Sequence, residues 1–349
     1  MIESASAAPP PGKGASTQPR RARARRRDGP AVREGRFRLN IFELLKAALY
    51  GLVEGITEWL PVSSTGHMLL LKQFVTLDVT KDFWDMFLVV IQLGAILAVC
   101  VMFFGALNPF SKAKSTQERK GTWKLWGQII VACLPAAIIG IPLDDWMEDH
   151  LGSPFVIAAA LIFYGIAFIA IETAREHKAE RIAIERSFKA RPQHFKPNSQ
   201  PIAPSKAALA DVDARVQSIG ELGWGTAIGI GIFQVLSMVP GTSRSGSTII
   251  GGLLLGCSRT VAAEFTFYLA IPVMVGASGL RLVKFFLKGN AFTSMELAIL
   301  GVGCLVAFVV SILVIRFLMG FIKKHDFKPF GWYRIVLGVA VVAYFLLVH

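Results

Sequence analysis

Two carboxylates, four hydroxyls and an imidazole lie close together in the segment EGITEWLPVSSTGH, which runs from Glu54 to His67 at the end of an apolar stretch. Glu54 and Glu58 are four residues apart, so a helix places both on one face. Two like charges repel there unless a cation lies between them. Mg²⁺ fits, because this hard ion binds one or two carboxylates together with substrate phosphate. The alternative is that one glutamate is protonated and the other pairs with an arginine.

A second polar segment, VPGTSRSGS, also interrupts apolar sequence, from Val239 to Ser247. Pro61 in the first segment and Pro240 in the second should each end a helix. The Ser, Thr and Gly residues that follow supply N-cap oxygens and a permissive backbone for a new helix start. The free N–H groups of such a start form a site for anions, phosphate in particular.

Arg244 strengthens the expectation of a phosphate site. A guanidinium between apolar blocks is costly unless it is paired, and its planar fork suits two phosphate oxygens at once. The alternatives are that Arg244 reaches out to the membrane surface, or that it pairs with Glu54 or Glu58. The neighbouring hydroxyls and glycines favour phosphate, because a simple ion pair does not need them.

Ser64 and His67 are three residues apart in the first motif. An imidazole titrates near neutral pH and is suited to general acid–base catalysis. Activated by that base, Ser64 would be a nucleophile that forms a phospho-enzyme. The sequence equally allows Ser64 only to bind phosphate, while His67 or a glutamate activates water.

The surrounding residues predict helices that cross a membrane. Only 17% of the residues are charged, against about 25% in soluble domains, and the apolar blocks have the length of roughly 20 residues that crosses a bilayer. We therefore predict an all-α polytopic membrane protein. A large soluble enzyme with buried helices is the alternative, and a β-barrel would need short alternating strands. Apolar segments are expected at 41–60, 84–104, 125–143, 154–172, 223–239, 246–257, 261–283, 295–319 and 330–348.

The two motifs indicate an internal repeat. Each combines glycines, an apolar run, a proline and then Ser or Thr with Gly; we align Pro61 with Pro240, and Ser63 and Ser64 with Thr242 and Ser243. A chance match of two Gly- and Ser-rich turns is the alternative.

The apolar pieces that follow the motifs, 68–77 and 246–257, are too short to span a bilayer, which is typical of re-entrant or broken helices. We expect one repeat at about 40–172 and the other at about 222–349, joined by a charged loop at 173–221.

The charges of the loops predict an orientation. Lys and Arg concentrate in residues 105–124 and 173–221, whereas the turn at 144–150 is acidic. Because Lys and Arg mark cytoplasmic loops, we expect both basic connections in the cytoplasm and the acidic turn outside. This places the N-terminus inside and the SSTGH stretch toward the outer face. The second half gives no consistent assignment.

Residues 1–38 hold ten Lys or Arg and three acidic residues, and so carry more than half of the net charge of +13. They lack an apolar face and the apolar core of a signal peptide, so we predict a disordered basic tail. Next to a membrane helix, such a tail favours the lipid surface over nucleic acid as its partner. Residues 39–349 are expected to form one membrane domain.

EGITEWLPVSSTGH and PGTSRSGST together closely resemble the two signature regions of the bacterial undecaprenyl-diphosphatase family, integral-membrane enzymes also known as bacitracin-resistance proteins. The resemblance covers roughly residues 40–348 and is specific, because both motifs occur in order with the expected hydropathy between them. The charged connection at 173–221 departs from a compact version of the family.

The resemblance implies a multi-pass enzyme of the bacterial plasma membrane, with its active site toward the outer face. Such an enzyme converts undecaprenyl diphosphate to the monophosphate carrier lipid and thereby serves peptidoglycan synthesis, cell shape and bacitracin resistance. It also implies an inverted repeat with two re-entrant helix pairs, and it allows a homodimer. A divalent cation, Mg²⁺ or another such as Ca²⁺, is implied at Glu54 and Glu58. The implied catalytic residues are Glu54, Glu58, Ser64, His67 and Arg244, and those implied to bind phosphate are Ser63, Thr65, Gly66, Thr242, Ser243, Arg244 and Ser245.

Two rival functions remain to be weighed. A polyprenyl-phosphate flippase or transporter would use broken helices and the same anion site, but it would need neither a nucleophile nor a base, so Ser64 and His67 favour an enzyme. A second membrane phosphatase superfamily carries a His several residues after its Ser-Arg pair. Here residues 245–250 contain none, which excludes that family.

Overall fold

The computed structural model describes residues 40–189 and 211–348 of the chain. Within these ranges the chain forms α-helices, two short 3-10 turns and one isolated bridge between Val216 and Cys257. The predicted basic tail and the middle of the charged connection lie outside the described residues. The helices are α1 (Ile41–Thr57), α2 (Ser64–Phe74), α3 (Lys81–Met102), α4 (Phe104–Leu107), α5 (Thr116–Leu151), α6 (Pro154–Lys189), α7 (Trp224–Val235), α8 (Arg244–Leu254), α9 (Arg259–Leu287), α10 (Ser294–Ile322) and α11 (Lys328–Val348).

Six of the described helices, α3, α5, α6, α9, α10 and α11, are long and apolar enough to cross a membrane. Large apolar side chains such as Phe163, Leu313 and Val336 are exposed on them, as lipid-facing surfaces require. These helices confirm the prediction of an all-α polytopic membrane protein.

Helix α6 is longer than the sequence analysis predicted. Residues 173–189, which we assigned to the charged loop, continue the helix. They are rich in Ala, Glu, Lys and Arg, which are good helix formers, and His177 lies 3.8 Å from Glu180 one turn later. A loss of hydrophobicity therefore marked the end of the apolar span and not the end of the helix.

The two motifs lie at the tips of two short helix pairs, α1–α2 and α7–α8. The ends of α1 and α2 that lie away from the motif are held together by a hydrogen bond from Lys46 Nζ to the carbonyl of Thr76, at 2.8 Å. At the corresponding end of the other pair, Val216 N donates to the carbonyl of Gly256 at 3.1 Å. The predicted short pieces are thus helices that turn back at their motifs. Their re-entry into a bilayer stays a prediction.

The start of α1 and the two basic connections lie at opposite ends of the bundle. Asp78 N donates to Glu43 at 3.0 Å, close to where α3 begins. The basic residues 105–115 follow the other end of α3, and there Gln128 donates to the carbonyl of Leu222 at 2.6 Å. The expectation that the N-terminal side of α1 shares a membrane face with both connections is therefore wrong. It counted α1 as a complete span, whereas the chain turns back after α1 and returns through α2.

Close backbone contacts fix the position of α1. A Cβ atom on Gly51 would lie 2.4 Å from the carbonyl oxygen of Gly303 in α10, and one on Gly94 of α3 would lie 2.1 Å from that of Cys304. Both helices therefore pack against the same stretch of α10, in the small-residue manner of membrane helices. This packing holds Glu54 and Glu58 in the centre of the bundle.

Candidate active site

The helices α2 and α8 begin with the same local structure. Their N-cap residues, Ser63 and Ser243, have φ angles of 72° and 74°. The two side chains accept hydrogen bonds from Gly66 N at 3.4 Å and Gly246 N at 3.1 Å. A positive φ costs a serine roughly 1–3 kcal/mol and tends to occur at functional sites.

These equivalent caps correct our alignment of the repeat. Ser63 corresponds to Ser243, and Ser64 therefore corresponds to Arg244. The predicted alignment is wrong by one residue, because the second connection has one more residue between its proline and its cap. The repeat thus places a hydroxyl and a guanidinium at equivalent first positions of two helices.

Glu58 connects these two positions. Its Oε1 accepts from Arg244 Nη2 at 2.9 Å, and its Oε2 accepts from the Ser64 hydroxyl at 2.9 Å. Glu58 is 6% exposed, so little water competes for either bond. The ion pair that we weighed as an alternative role for Arg244 is present, and it lies beside the predicted nucleophile.

Arg244 is held on two further sides. Its Nη1 donates to the carbonyl of Thr266 in α9 at 2.9 Å, and its guanidinium carbon lies 5.7 Å from the ring centroid of Trp59. That distance is within the range of a cation–π interaction. Ser245, the next residue, donates to the carbonyl of Glu58 at 3.0 Å. The second motif is thus bonded directly to the first.

Glu54 is a buried carboxyl group with an oxygen that is still able to accept a hydrogen bond or bind a cation. It is 1% exposed, lies against the carboxyl group of Glu58, and its Oε1 has no hydrogen-bond partner. Among the described residues no cluster of three or more His, Cys, Asp or Glu side chains forms. The two glutamates nevertheless fit Mg²⁺, which takes one or two carboxylates and completes its shell with water and substrate oxygens.

His67 does not bond to Ser64. Its Nδ1 lies 2.7 Å from the carbonyl oxygen of Ser63, and its Nε2 lies 2.7 Å from the hydroxyl of Tyr333 in α11. Because a carbonyl oxygen only accepts, Nδ1 carries a proton; in the neutral imidazole Nε2 then accepts from Tyr333. Of the roles that the sequence left open, direct activation of Ser64 by His67 has no hydrogen bond in this structure, and Ser64 is bonded to Glu58 instead.

Two residues of α11, Tyr333 and Arg334, belong to the site and were missed in the sequence. Arg334 is fully buried; it donates to the carbonyls of Gly241 at 2.9 Å, Thr242 at 2.8 Å and Pro61 at 3.2 Å. Among the described residues no carboxylate pairs with it. A charge in an apolar segment was the available signal, but Arg334 is close to the segment's end and carries no motif around it.

The remaining predicted residues lie around this centre. Thr65 is exposed, whereas Gly66 is buried against Leu161 of α6. Thr242 is fully buried and its hydroxyl has no hydrogen-bond partner. All the predicted site residues therefore belong to the two helix starts or to the end of α1, which lie together.

Comparison with known proteins shows the family of this chain. The family described as bacitracin resistance protein BacA matches residues 47–340. The chain belongs to the BacA family. Proteins named undecaprenyl-diphosphatase are similar to it over most of their length. One from Streptococcus thermophilus is 51% identical over 304 residues, which are 87% of this chain and 94% of the relative.

Two further relatives carry the same name. One from Lactiplantibacillus plantarum is 47% identical over 309 residues, 88% of this chain and 100% of the relative. One from Enterococcus faecalis is 47% identical over 303 residues, 87% of this chain and 98% of the relative. The family match spans both motifs and also the α11 segment that holds Tyr333 and Arg334.

Proposed function

We propose that this protein is an integral-membrane phosphatase that hydrolyses undecaprenyl diphosphate to undecaprenyl phosphate and inorganic phosphate, and so recycles the carrier lipid. The observation that carries the proposal is the chain of contacts Arg244–Glu58–Ser64 at two adjoining helix starts. It joins a phosphate-binding cation, a carboxylate and a hydroxyl in one buried place. The relatives' shared name supports the lipid substrate.

Binding of the terminal phosphate is the first task of the site. The Arg244 fork binds two oxygens, and the N–H groups at the starts of α2 and α8 add positive potential. Buried Arg334 adds a full positive charge next to the turns that precede α2 and α8, where it is bonded to the carbonyls of Pro61 and Gly241. Phosphoryl transfer depends mostly on such positioning and charge stabilisation.

We propose that Ser64 attacks first. Its hydroxyl proton passes to Glu58, to which it is already bonded, while Oγ bonds to the terminal phosphorus. The bridging P–O bond breaks and undecaprenyl phosphate leaves with that oxygen. A phosphoserine at the start of α2 faces the positive end of the helix, which stabilises its charge.

Hydrolysis of the phosphoserine is the second step. Water attacks phosphorus, its proton is taken by His67, and the serine oxygen leaves and recovers a proton from Glu58. Only Nε2 of His67 can take this proton, once the water replaces the Tyr333 hydroxyl there, since Nδ1 already carries hydrogen and is bonded to the Ser63 carbonyl. Two different bases therefore serve the two steps.

A divalent cation, Mg²⁺ in the first place, would be held by Glu54 and Glu58. Bound there, it would supply charge neutralisation for the phosphate oxygens. The unpaired, buried Oε1 of Glu54 supports this assignment, because a buried carboxylate oxygen without a partner is costly.

The site is proposed to serve the outer leaflet of the bacterial plasma membrane. The ends of α1 and α2 that lie away from the motif are opposite the basic connections, and the Lys and Arg residues of those connections favour the cytoplasm. An apolar tail can then stay in lipid while its diphosphate enters the site.

A cysteine at Thr65, in a chain without its four native cysteines, should react with a membrane-impermeant maleimide added outside intact cells. Reaction only after the cells are broken would show that the site opens to the cytoplasm instead.

The homodimer stays a prediction.

Phosphate release by the purified protein tests the function. We expect the wild type in detergent to release phosphate from undecaprenyl diphosphate with Mg²⁺, and to stop when a chelator removes the metal. Specific lipid binding by a folded wild type without phosphate release would favour the transporter instead.

A trapped phospho-enzyme tests the nucleophile. Brief incubation with substrate labelled in the terminal phosphate should leave label on the wild type and on Thr65→Ala, but none on Ser64→Ala. Thr65 is the matched control, because it is the adjacent hydroxyl and is exposed. Turnover by Ser64→Ala at the wild-type rate would assign the attack to water.

A further inference from the structure

Tyr333 lies outside both motifs but contacts the imidazole of the site. Its hydroxyl is 2.7 Å from His67 Nε2, and the two rings are nearly parallel, with an interplanar angle of 5° and centroids 5.6 Å apart. The contact joins α2 to the last helix of the chain, 266 residues away.

The hydrogen bonds of His67 select one tautomer of its neutral ring. Nδ1 is bonded to the backbone carbonyl of Ser63 at 2.7 Å, so it must carry hydrogen. A neutral imidazole then has a bare Nε2, and the Tyr333 hydroxyl is the group that donates to it. The bond that one ring nitrogen makes decides which form the ring adopts, and here both nitrogens are constrained toward the same form.

The backbone of α11 is anchored next to this contact. Arg334, the next residue, is fully buried and bonded to carbonyls of both motifs. Tyr333 itself is 48% exposed, so the burial of its ring contributes less to folding than that of a core aromatic side chain. Tyr333 is held in place by its neighbour Arg334, its ring is partly exposed, and its hydroxyl contacts the imidazole of His67. Such a residue is suited to orienting His67.

We propose that Tyr333 is a positioning residue for His67. Its hydroxyl donates to Nε2 in the resting site and so keeps this nitrogen unprotonated and aimed. The attacking water then replaces the hydroxyl at the single lone pair of Nε2 and gives that nitrogen its proton. The proposal rests on the phosphatase function above. Tyr333 acts through His67, and the mechanism requires no contact between Tyr333 and Ser64 or Glu58.

Removal of the hydroxyl alone tests the proposal. Tyr333→Phe keeps the ring, and we expect kcat to fall roughly tenfold to a hundredfold with KM little changed, less than the 10²–10⁴-fold contribution of a complete general base. Tyr344→Phe is the matched control, because it removes a hydroxyl from the same helix near the other end of α2, where its ring contacts Phe74.

Two readouts separate positioning from a structural role. In a His67→Gln background, Tyr333→Phe should cause no further loss, because residues that act as a unit are not additive. In ¹⁵N-histidine spectra of the detergent-solubilised protein, with the His67 signals assigned by their absence in His67→Gln, the wild type should show a protonated Nδ1 and a bare Nε2. Tyr333→Phe should shift this population toward protonated Nε2.

Additive losses, or His67 signals and kcat in Tyr333→Phe equal to those in Tyr344→Phe, would overturn the proposal. The spectra do not depend on turnover. A wild type that fails to release phosphate therefore contradicts the proposed function, while its spectrum still decides the role of Tyr333.

Discussion

Glu54 lies in the last turn of α1 and Glu58 is the C-cap residue that follows it, close together as their spacing predicted, but they have different surroundings. Glu58 is bonded to Arg244 and Ser64, whereas Glu54 has a buried oxygen without a partner. Glu58 thus takes part in the chemistry of the hydroxyl, and Glu54 is the better anchor for a cation. The sequence analysis left open whether both residues bind a cation or one of them pairs with an arginine, and the pairing of Glu58 with Arg244 is present.

We expect catalysis to require the planar guanidinium of Arg244, which donates to two oxygens at once, and not only its positive charge. We expect Arg244→Ala to lower kcat by about 10²–10³-fold, the usual cost of losing one charge-stabilising donor. Arg244→Lys should recover little, because an ammonium group cannot bind two oxygens in the same plane. Phosphate release is the measurement, and Arg316→Ala, at an exposed arginine of α10, is the control. Full activity of Arg244→Lys would contradict the role of the fork.

Glu54→Gln should weaken the response to metal. The change keeps the size of the side chain but removes the charge that a hard cation requires. We expect the Mg²⁺ concentration for half-maximal activity to rise at least about tenfold, which equals roughly 1.4 kcal/mol. A titration of activity against Mg²⁺ checks this, with Glu296→Gln, at a helix cap away from the site, as the control. An unchanged midpoint would remove Glu54 from the metal site.

At the scale of elements, the site depends on two helix starts being brought together. Ser245 of α8 is bonded to the end of α1, and Arg334 of α11 is bonded to the connections before both helix starts. The connection before α8 is tight. Gly241 has a φ of +92°, and a Cβ atom there would lie 2.5 Å from the carbonyl oxygen of Ile157.

Gly241→Ala should therefore destabilise the protein and disturb the site. A side chain at this φ costs about 1–3 kcal/mol, and the contact with α6 must also open. We expect a lower melting temperature in detergent and a loss of phosphate release in the fraction that stays folded. Gly276→Ala, inside α9 with nothing within 4 Å, is the control and should be neutral or stabilising by at most about 1 kcal/mol. Equal melting temperatures for the two variants would contradict this.

At the scale of the whole molecule, a buried ion pair at the end with the basic connections holds α11 in place. Glu172 of α6 is fully buried and accepts two bonds from Arg259, at 3.0 and 2.8 Å. It also accepts from Phe327 N at 3.1 Å, directly before α11. Because α11 carries Tyr333 and Arg334, this distant pair helps to fix the geometry of the site.

Glu172→Gln should lower stability more than it lowers the chemical rate. Removal of one charge from a buried pair costs up to about 3–5 kcal/mol. We expect a clear drop in melting temperature, with kcat per folded molecule reduced only modestly. Asp82→Asn, which breaks the exposed pair between Lys288 and Asp82, is the control and should leave the melting temperature unchanged. A kcat collapse without loss of stability would instead place Glu172 in the chemistry.

The sequence by itself determined the class of the protein and the motif part of its site. Apolar segments of bilayer length located the six long helices, since a membrane requires such segments. Proline followed by Ser, Thr and Gly located both helix starts, because these residues act through local backbone geometry. Glu58, Ser64 and Arg244 were found because polar side chains are costly in apolar surroundings.

Only the tertiary structure decided which of these groups touch each other. It paired Ser64 with Glu58 instead of His67, shifted the repeat by one residue, and brought Tyr333 and Arg334 from the last helix. It also placed the start of α1 opposite the basic connections. Local patterns do not contain these facts, because they depend on contacts between residues that are distant in the chain and on a helix pair that turns back before crossing.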